Sequence, residues 1–185
     1  MAYKIKITGC DILPPERDLA EAAAYGITSL IIEHLRKKND SDSGNRYGLP
    51  KTNYYATERS DIATEVVGSK ATIAIDKPGL EMHYTGGTVL PRPGKKALAI
   101  PINPAVAGIW PSEAGGIATG GDYDDGPYRM FWPKGSSHGF IKETDTNELL
   151  WLLVPKAKIP ADPSVLPSDA DMFAAAQDEI MELMS

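Results

Sequence analysis

The sequence has little of the material from which catalytic and metal sites are built. It holds one cysteine, Cys10, and three histidines, His34, His83 and His138, which stand far apart and give no metal-ligand spacing. A single cysteine excludes a disulfide within the chain and is typical of a reducing compartment. We therefore predict no metal ion, no cofactor and no catalytic residue.

Long apolar runs and an excess of positive charge are also missing. No stretch approaches the ~20 apolar residues of a membrane span, and the first six residues lack the apolar core of a signal peptide. The chain has 19 Lys and Arg against 25 Asp and Glu, a net charge of −6, which argues against a dedicated nucleic-acid-binding face. We expect a soluble protein made in the cytoplasm, with no membrane partner.

Motifs for ions and phosphates begin but are not completed. The run D-Y-D-D-G at residues 122–126 resembles the start of a calcium loop, but the twelfth position is Pro133, where a glutamate is needed. Gly86 and Gly87 are not followed by the Lys-Ser/Thr of a phosphate loop. These absences favour a binding or structural role. A small hydrolase or regulatory enzyme that uses His83 or His138 is the alternative from another class.

The patterns that are present predict both helices and strands. Apolar residues recur at three- and four-residue intervals over residues 15–38, which predicts one long amphipathic helix. Gly26 lies inside it and costs about 1 kcal/mol relative to alanine. Near the carboxyl end, Ser168 is a predicted N-cap, with Asp169 and Asp171 in the first turn of a final helix. Residues 52–60 are predicted to form two helical turns.

Strand signals are spread over the rest of the chain. Alternation at residues 3–8 predicts an edge strand, and residues 62–67 and 71–75 predict a hairpin around Gly68-Ser69. Residues 97–102, 128–133, 137–143 and 148–154 predict further strands, the last three as an antiparallel meander, with Trp151 in the core. The predicted fold is α+β: an antiparallel sheet packed by the long amino-terminal helix, with long Gly/Pro-rich loops and a carboxyl-terminal helix on an extended arm at residues 156–167.

Residues 79–101 contain a stiff loop with clustered positive charge. Two prolines fix φ in the segment 91–96, and Arg92, Lys95 and Lys96 place three cations within five residues of an acidic chain. Aromatic residues concentrate nearby in sequence, among them Trp110 and Tyr123, and aromatic side chains on loops are frequent interface anchors. The loop is either a plain exposed connection or a contact with a partner.

Several blocks, taken in order, resemble one family. They are G-L-P-K-T-N-Y-Y-A at residues 48–56, K-P-G-L-E-M-H-Y-T-G-G-T at 77–88, K-K-A-L-A-I-P at 95–101, L-L-V-P at 152–155 and K-I-P at 158–160. The chain resembles the virion morphogenesis (tail completion, or neck) proteins of Mu-like and related tailed bacteriophages over about residues 15–167. One departure is Asp162, which stands where that family's closing arm has an arginine.

The resemblance implies a non-enzymatic structural protein of the head-tail junction. Copies of it would form a homo-oligomeric ring, with six as the count the family implies, between the neighbouring head-tail connector and tail proteins. DNA would pass through the lumen without sequence-specific binding. The protein would reside in the virion after synthesis in the host cytoplasm. A tail terminator that caps the tail tube is the alternative structural role.

Within this reading, residues 1–167 form one domain and residues 168–185 form a helix that docks on a neighbouring subunit. The loop 91–96 then becomes the preferred contact between subunits or with a neighbouring ring. The expected interface residues are Arg92, Lys95, Lys96, Trp110, Tyr123, Ile159, Phe173 and Ile180.

Overall fold

The computed structural model describes residues 2–6, for which only the backbone is described, and residues 14–41, 47–50, 52–114 and 127–185. Its contacts divide the chain into two compact units. The first unit comprises Met1–Asp42, Asn53–Gly86 and Pro160–Ser185, and the second unit comprises Ser43–Thr52 and Gly87–Ile159.

The first unit is built on helices. They are α1 at Glu16–Ser41, α2 at Leu80–Thr85 and α3 at Asp169–Leu183. The amino end of α1 is fixed where the amide of Asp18 donates to the carbonyl of Pro15 at 2.8 Å. Glu16 and Asp18 lie in its first turn and Lys38 in its last, so both ends carry charges that suit the helix dipole. The predicted long helix is confirmed, and it extends three residues further than predicted.

The same unit holds a three-stranded antiparallel sheet. Its strands are β1 at Ala2–Lys6, β2 at Ile62–Val67 and β3 at Lys70–Ile75, in the order β1-β3-β2. Val67 pairs with Lys70 across a two-residue turn in which Gly68 has φ +57°, so the predicted hairpin is confirmed, as is β1 at an edge. The core beneath it includes Ile73 and, from α1, Ile27 and Ile31.

Gly26 lies where α1 and α3 are in close contact. It is buried, and a Cβ added there would overlap the carbonyl oxygen of Ala175 and lie 2.7 Å from Cγ of Glu179. Ala23 and Ala176 are also buried in this core. Gly26 therefore has a packing role that offsets its unfavourable helix propensity.

The second unit contains the remaining strands. They are β4 at Gly87–Val89, β5 at Leu98–Pro101, β6 at Tyr128–Phe131, β7 at Gly139–Glu143, β8 at Leu149–Val154 and β9 at Ala157–Ile159. A four-stranded antiparallel sheet has the order β5-β8-β7-β6, and β4 pairs with β9. The predicted meander is confirmed. Trp151 on β8 is fully buried, as predicted, in a core with Ile141 and Leu153.

The predicted α+β class is confirmed, with the described strands divided among three sheets. Two local predictions are wrong. Residues 52–60 form turns followed by a 3₁₀ helix at Arg59–Asp61, because the two tyrosines of this segment pack against His83. The arm 156–167 is extended in β9 but then forms a 3₁₀ helix at Pro163–Val165, with Val165 and Leu166 in the core of the first unit.

Helix α3 packs on α1 of its own chain. The division into a domain of residues 1–167 and a carboxyl-terminal helix that docks on a neighbouring subunit stays a prediction.

Candidate interaction surfaces

The cationic loop predicted from the sequence is a tight turn in the second unit. The amide of Lys95 donates to the carbonyl of Arg92 at 2.9 Å, and Gly94 between them has φ +82°. Proline followed by a glycine of positive φ is the arrangement of a type II turn, in which Pro93 takes the second position. Arg92, Lys95 and Lys96 are all exposed, so the turn displays its three cations to solvent.

Trp110 follows a segment that is anchored to the core of the same unit. A 3₁₀ helix at Pro104–Val106 is capped by Asn103, whose side chain accepts from the amide of Ala105 at 2.9 Å, and Val106 is buried. Further along, the indole N–H of the buried Trp151 donates to the carbonyl of Ile109 at 3.3 Å. Ile109, the residue before Trp110, is therefore hydrogen-bonded to a side chain of the core.

The backbone of Trp110 itself is also held. Its amide donates to the Glu113 carboxylate at 3.0 Å, and its carbonyl accepts from the Glu113 amide at 2.8 Å. Trp110 nevertheless stays 59% exposed. The guanidinium carbon of Arg92 lies 6.0 Å from the centroid of the indole ring, at the outer limit of a cation–π contact. We call Arg92, Lys95, Lys96 and Trp110 the cationic-aromatic surface.

A second exposed surface lies on α3 in the first unit. Met172 and Ala176 are buried, whereas Phe173 is 65% and Met181 63% exposed. Met184, just after the helix, is also exposed. Phe173 and Met181 are eight residues apart and Met184 follows three residues later, which are spacings that share one side of a helix. We call these three residues the outer face of α3.

The charges of α3 have one sign. The helix carries five acidic residues and no basic one; the acidic residues are Asp169, Asp171, Asp178, Glu179 and Glu182. Asp178 and Glu182 are exposed and one turn apart, so they lie on the same side of the helix. The outer face of α3 is therefore an apolar stripe on a strongly acidic helix.

The other expected interface residues have different surroundings. Ile159 is half-buried in β9, where it pairs with Gly87 of β4. Ile180 is half-buried and packs against the core of the first unit. Tyr123 lies outside the described residues. The assignment of all eight residues to a subunit interface stays a prediction.

The sequence reasoning missed a cluster of rings and polar groups around His83. The hydroxyl of Tyr55 and Nδ1 of His83 are hydrogen-bonded at 2.9 Å. The ring of Tyr54 stacks on the imidazole with centroids 4.7 Å apart, and its hydroxyl donates to the carbonyl of Pro78 at 2.8 Å. Burial, and to a lesser extent the neighbouring Tyr55, raises the pKa of Tyr54. These partners make His83 part of a packed cluster.

The segment that follows β9 is fixed to this cluster and to α1. The amide of Asp162 donates to the carbonyl of His83 at 2.9 Å, and Nζ of Lys38 donates to the Asp162 carboxylate at 2.8 Å and to the Ser164 hydroxyl at 3.0 Å. Nε2 of His34 lies 2.9 Å from the carbonyl oxygen of Ser164. Since a carbonyl can only accept, Nε2 carries the proton and donates this hydrogen bond.

Asp162, the departure from the family's arginine, thus has partners within its own chain. Its carboxylate also accepts from the amide of Ser164 at 3.1 Å and so caps the 3₁₀ helix at Pro163–Val165. Hydrogen bonds from Lys38 and then Ser164 are the main causes that lower the pKa of Asp162. A carboxylate at this position therefore stabilises the fold of the segment after β9.

Two of the sequence blocks, and a residue just after the last one, contribute to this cluster. Residues 54 and 55 come from the first block and residues 78 and 83 from the second, and Asp162 follows the last block closely. They are distant in sequence and meet in the first unit, which no local pattern signalled. Their arrangement connects α1, α2 and the segment at residues 160–165.

The part of the chain that the structure describes shows no group of three or more His, Cys, Asp or Glu side chains placed to hold a metal ion. Nδ1 of His138, the other histidine considered for catalysis, lies 3.2 Å from the hydroxyl of the adjacent Ser137. Among the described helices, none combines the length and apolar character needed to cross a bilayer.

No family model, curated protein or solved structure matches the chain.

Proposed function

We propose that this protein is a structural subunit of a bacteriophage virion at the head-tail junction, where copies assemble into a ring that joins tail to head. The resemblance in five sequence blocks motivates the assignment, and from it come the sixfold count, the neighbouring connector and tail proteins, and the passage of DNA through the lumen. The protein acts in the particle as a non-enzymatic component.

The observation that supports an assembly role is that Trp110 is exposed although its backbone is fixed. Its backbone is fixed by the Glu113 side chain and by the neighbouring contact of the buried Trp151, yet the residue is 59% exposed. Large aromatic side chains on a fixed backbone are typical anchors of protein interfaces, because the backbone loses little conformational freedom when they become buried. The three cations of the adjacent turn suit an acidic partner.

The ring is tested by measuring the mass of the purified protein. Sedimentation velocity, native mass spectrometry and negative-stain microscopy of the wild type are expected to show closed oligomers, with the hexamer as the main species. Trp110→Ala should shift the distribution towards monomer without changing the circular dichroism spectrum. Val67→Ala, which truncates another exposed apolar side chain, is the matched control and should assemble normally. A wild type that stays monomeric at every concentration would contradict the proposal.

The place of the ring in the particle needs a phage that carries this gene. Deletion should leave full heads and finished tails that do not join, and expression of the protein from a plasmid should restore joining. Overlong tails would instead assign the protein to the tail terminator. Infectious particles of normal yield from the deletion would exclude both structural roles.

A further inference from the structure

We infer that the outer face of α3 of one copy docks on the cationic-aromatic surface of the next copy, so that the two surfaces are the two halves of one repeated interface. This inference rests on the proposed ring and identifies the contact that builds it. The occupant of each surface is thus a second copy of this chain.

Both surfaces are exposed and therefore available for contact. One side of α3 is buried against the first unit, but Phe173 and Met181 stay about two-thirds exposed. Trp110 and the three cations are exposed in the second unit. Exposed apolar side chains on one helical stripe are the usual anchors of a helix that binds a partner surface, and methionine adapts readily to the shape of an aromatic neighbour.

The two surfaces carry complementary charge. Asp178 and Glu182 accompany the apolar stripe on a helix without any cation, while Lys95 and Lys96 stand beside Arg92 near the exposed indole. Docking would pair acidic groups with basic ones around an apolar centre, the usual plan of a protein interface. The Arg92 guanidinium near Trp110 would then bring a cation next to the apolar contact.

The same charges disfavour two simpler alternatives. Two copies of α3 that met face to face would bring together the exposed Asp178 and Glu182 of both copies with no cation on either helix, which like-charge repulsion disfavours. An acidic helix is also repelled by anionic lipid surfaces. A contact between two different surfaces is heterologous, and repeating it generates a closed ring when the rotation per subunit closes.

The test exchanges the charges of the two surfaces. Variant H carries Asp178→Lys and Glu182→Lys, and variant L carries Lys95→Glu and Lys96→Glu; all four residues are exposed. Each variant alone should form oligomers at least about tenfold more weakly than wild type, because two ion pairs become two repulsive pairs. The weakening should be smaller at high salt, which screens exposed charges.

Rescue in trans identifies the two surfaces as partners. In an equimolar mixture of H and L, the unchanged helix of L meets the unchanged turn of H, and the reversed helix of H meets the reversed turn of L. The mixture should therefore assemble into alternating rings, and the chain that carries all four substitutions should assemble alone. Unchanged circular dichroism spectra and melting temperatures of H and L would show that both remain folded.

Three outcomes would overturn the inference. Wild-type rings together with normal assembly of H and L would mean that other surfaces build the ring, and the proposed function would stand. Loss of assembly in H and L without rescue in the mixture would mean that each surface contacts some other part of a neighbouring copy, and that the two surfaces are not each other's partners. A wild type that is monomeric at all concentrations would reject both the inference and the proposed ring.

Discussion

Replacement of Gly26 by alanine tests the helix crossing at the centre of the first unit. In an isolated helix the change would stabilise the chain by about 1 kcal/mol. Here the new methyl group would overlap the carbonyl oxygen of Ala175, and it would lie 3.0 Å from the carbonyl carbon of the same residue and 2.7 Å from Cγ of Glu179. Unstrained carbon atoms stay about 3.5–4.0 Å apart, so α3 must move by at least several tenths of an ångström.

Overpacking of this kind typically costs about 1–3 kcal/mol. Because the obstacle is backbone, we expect the cost to exceed the gain in propensity and the free energy of unfolding to fall by about 1–2 kcal/mol. The melting temperature should then fall by about 2–8 °C for a chain of this size. Urea titration and thermal melts followed by circular dichroism measure both quantities.

A second substitution separates the two contacts. Glu179→Ala removes the flexible side chain but leaves the carbonyl of Ala175 in place, so it should not restore the stability of Gly26→Ala. Ala22→Gly, on the same helix, is the propensity control and should destabilise by about 1 kcal/mol. If Gly26→Ala raised the melting temperature, α1 and α3 would not be packed at this point and the account of the crossing would be wrong.

Three further predictions concern side chains of the first unit. Ser168→Ala removes the hydroxyl that accepts from the Asp171 amide and should lower the melting temperature by about 2–4 °C, about 1 kcal/mol; no change would show that the cap is dispensable. Asp162→Asn should destabilise the protein most at neutral pH. Because folding lowers the pKa of Asp162, its ionised carboxylate stabilises the folded state fully above the ordinary carboxyl pKa, and this stabilisation is lost as the pH falls through the pKa of the folded state. The difference in melting temperature between wild type and Asp162→Asn should therefore disappear at acidic pH. In a Lys38→Met background, the effect of Asp162→Asn on the melting temperature at neutral pH should be much smaller than in the wild type. The pKa of Tyr54 is raised in the folded state. The protonated hydroxyl therefore contributes to the free energy of unfolding fully below about pH 10, and this contribution is lost as the pH rises through the raised pKa. Tyr54→Phe should remove the late component of an ultraviolet tyrosine titration, and a curve of unchanged shape would refute the assignment.

Local patterns were sufficient for most of the regular elements. The 3.6-residue period predicted α1, the two-residue turn at Gly68-Ser69 predicted the hairpin, and Ser168 predicted the start of α3. Each of these signals depends on neighbours within one or two turns of the chain. The segment 52–60 was predicted as helix and is not, because the conformation of Tyr54 and Tyr55 is set by their contacts with a histidine almost 30 residues away.

The candidate surfaces were predictable only in part. The cations at Arg92, Lys95 and Lys96 and the aromatic character of Trp110 are visible in the sequence, and the turn at Pro93-Gly94 follows from its residue types. That Trp110 is anchored and yet exposed depends on Trp151, a residue more than 40 positions later. The exposure of Phe173 likewise depends on which side of α3 packs on α1.

The sequence by itself determined α1, α3, the hairpin, the meander, the acidic balance and the scarcity of groups for metal or nucleophilic chemistry, because composition and short-range periodicity fix these properties. The tertiary structure decided the rest. It places Gly26, which has a low helix propensity, where α1 packs on α3, and it gives Asp162 hydrogen-bond partners within its own chain. It also brings the residues of the His83 cluster together from distant blocks and leaves one side of α3 exposed. These features depend on contacts between segments far apart in the chain, and only packing of the whole unit selects them.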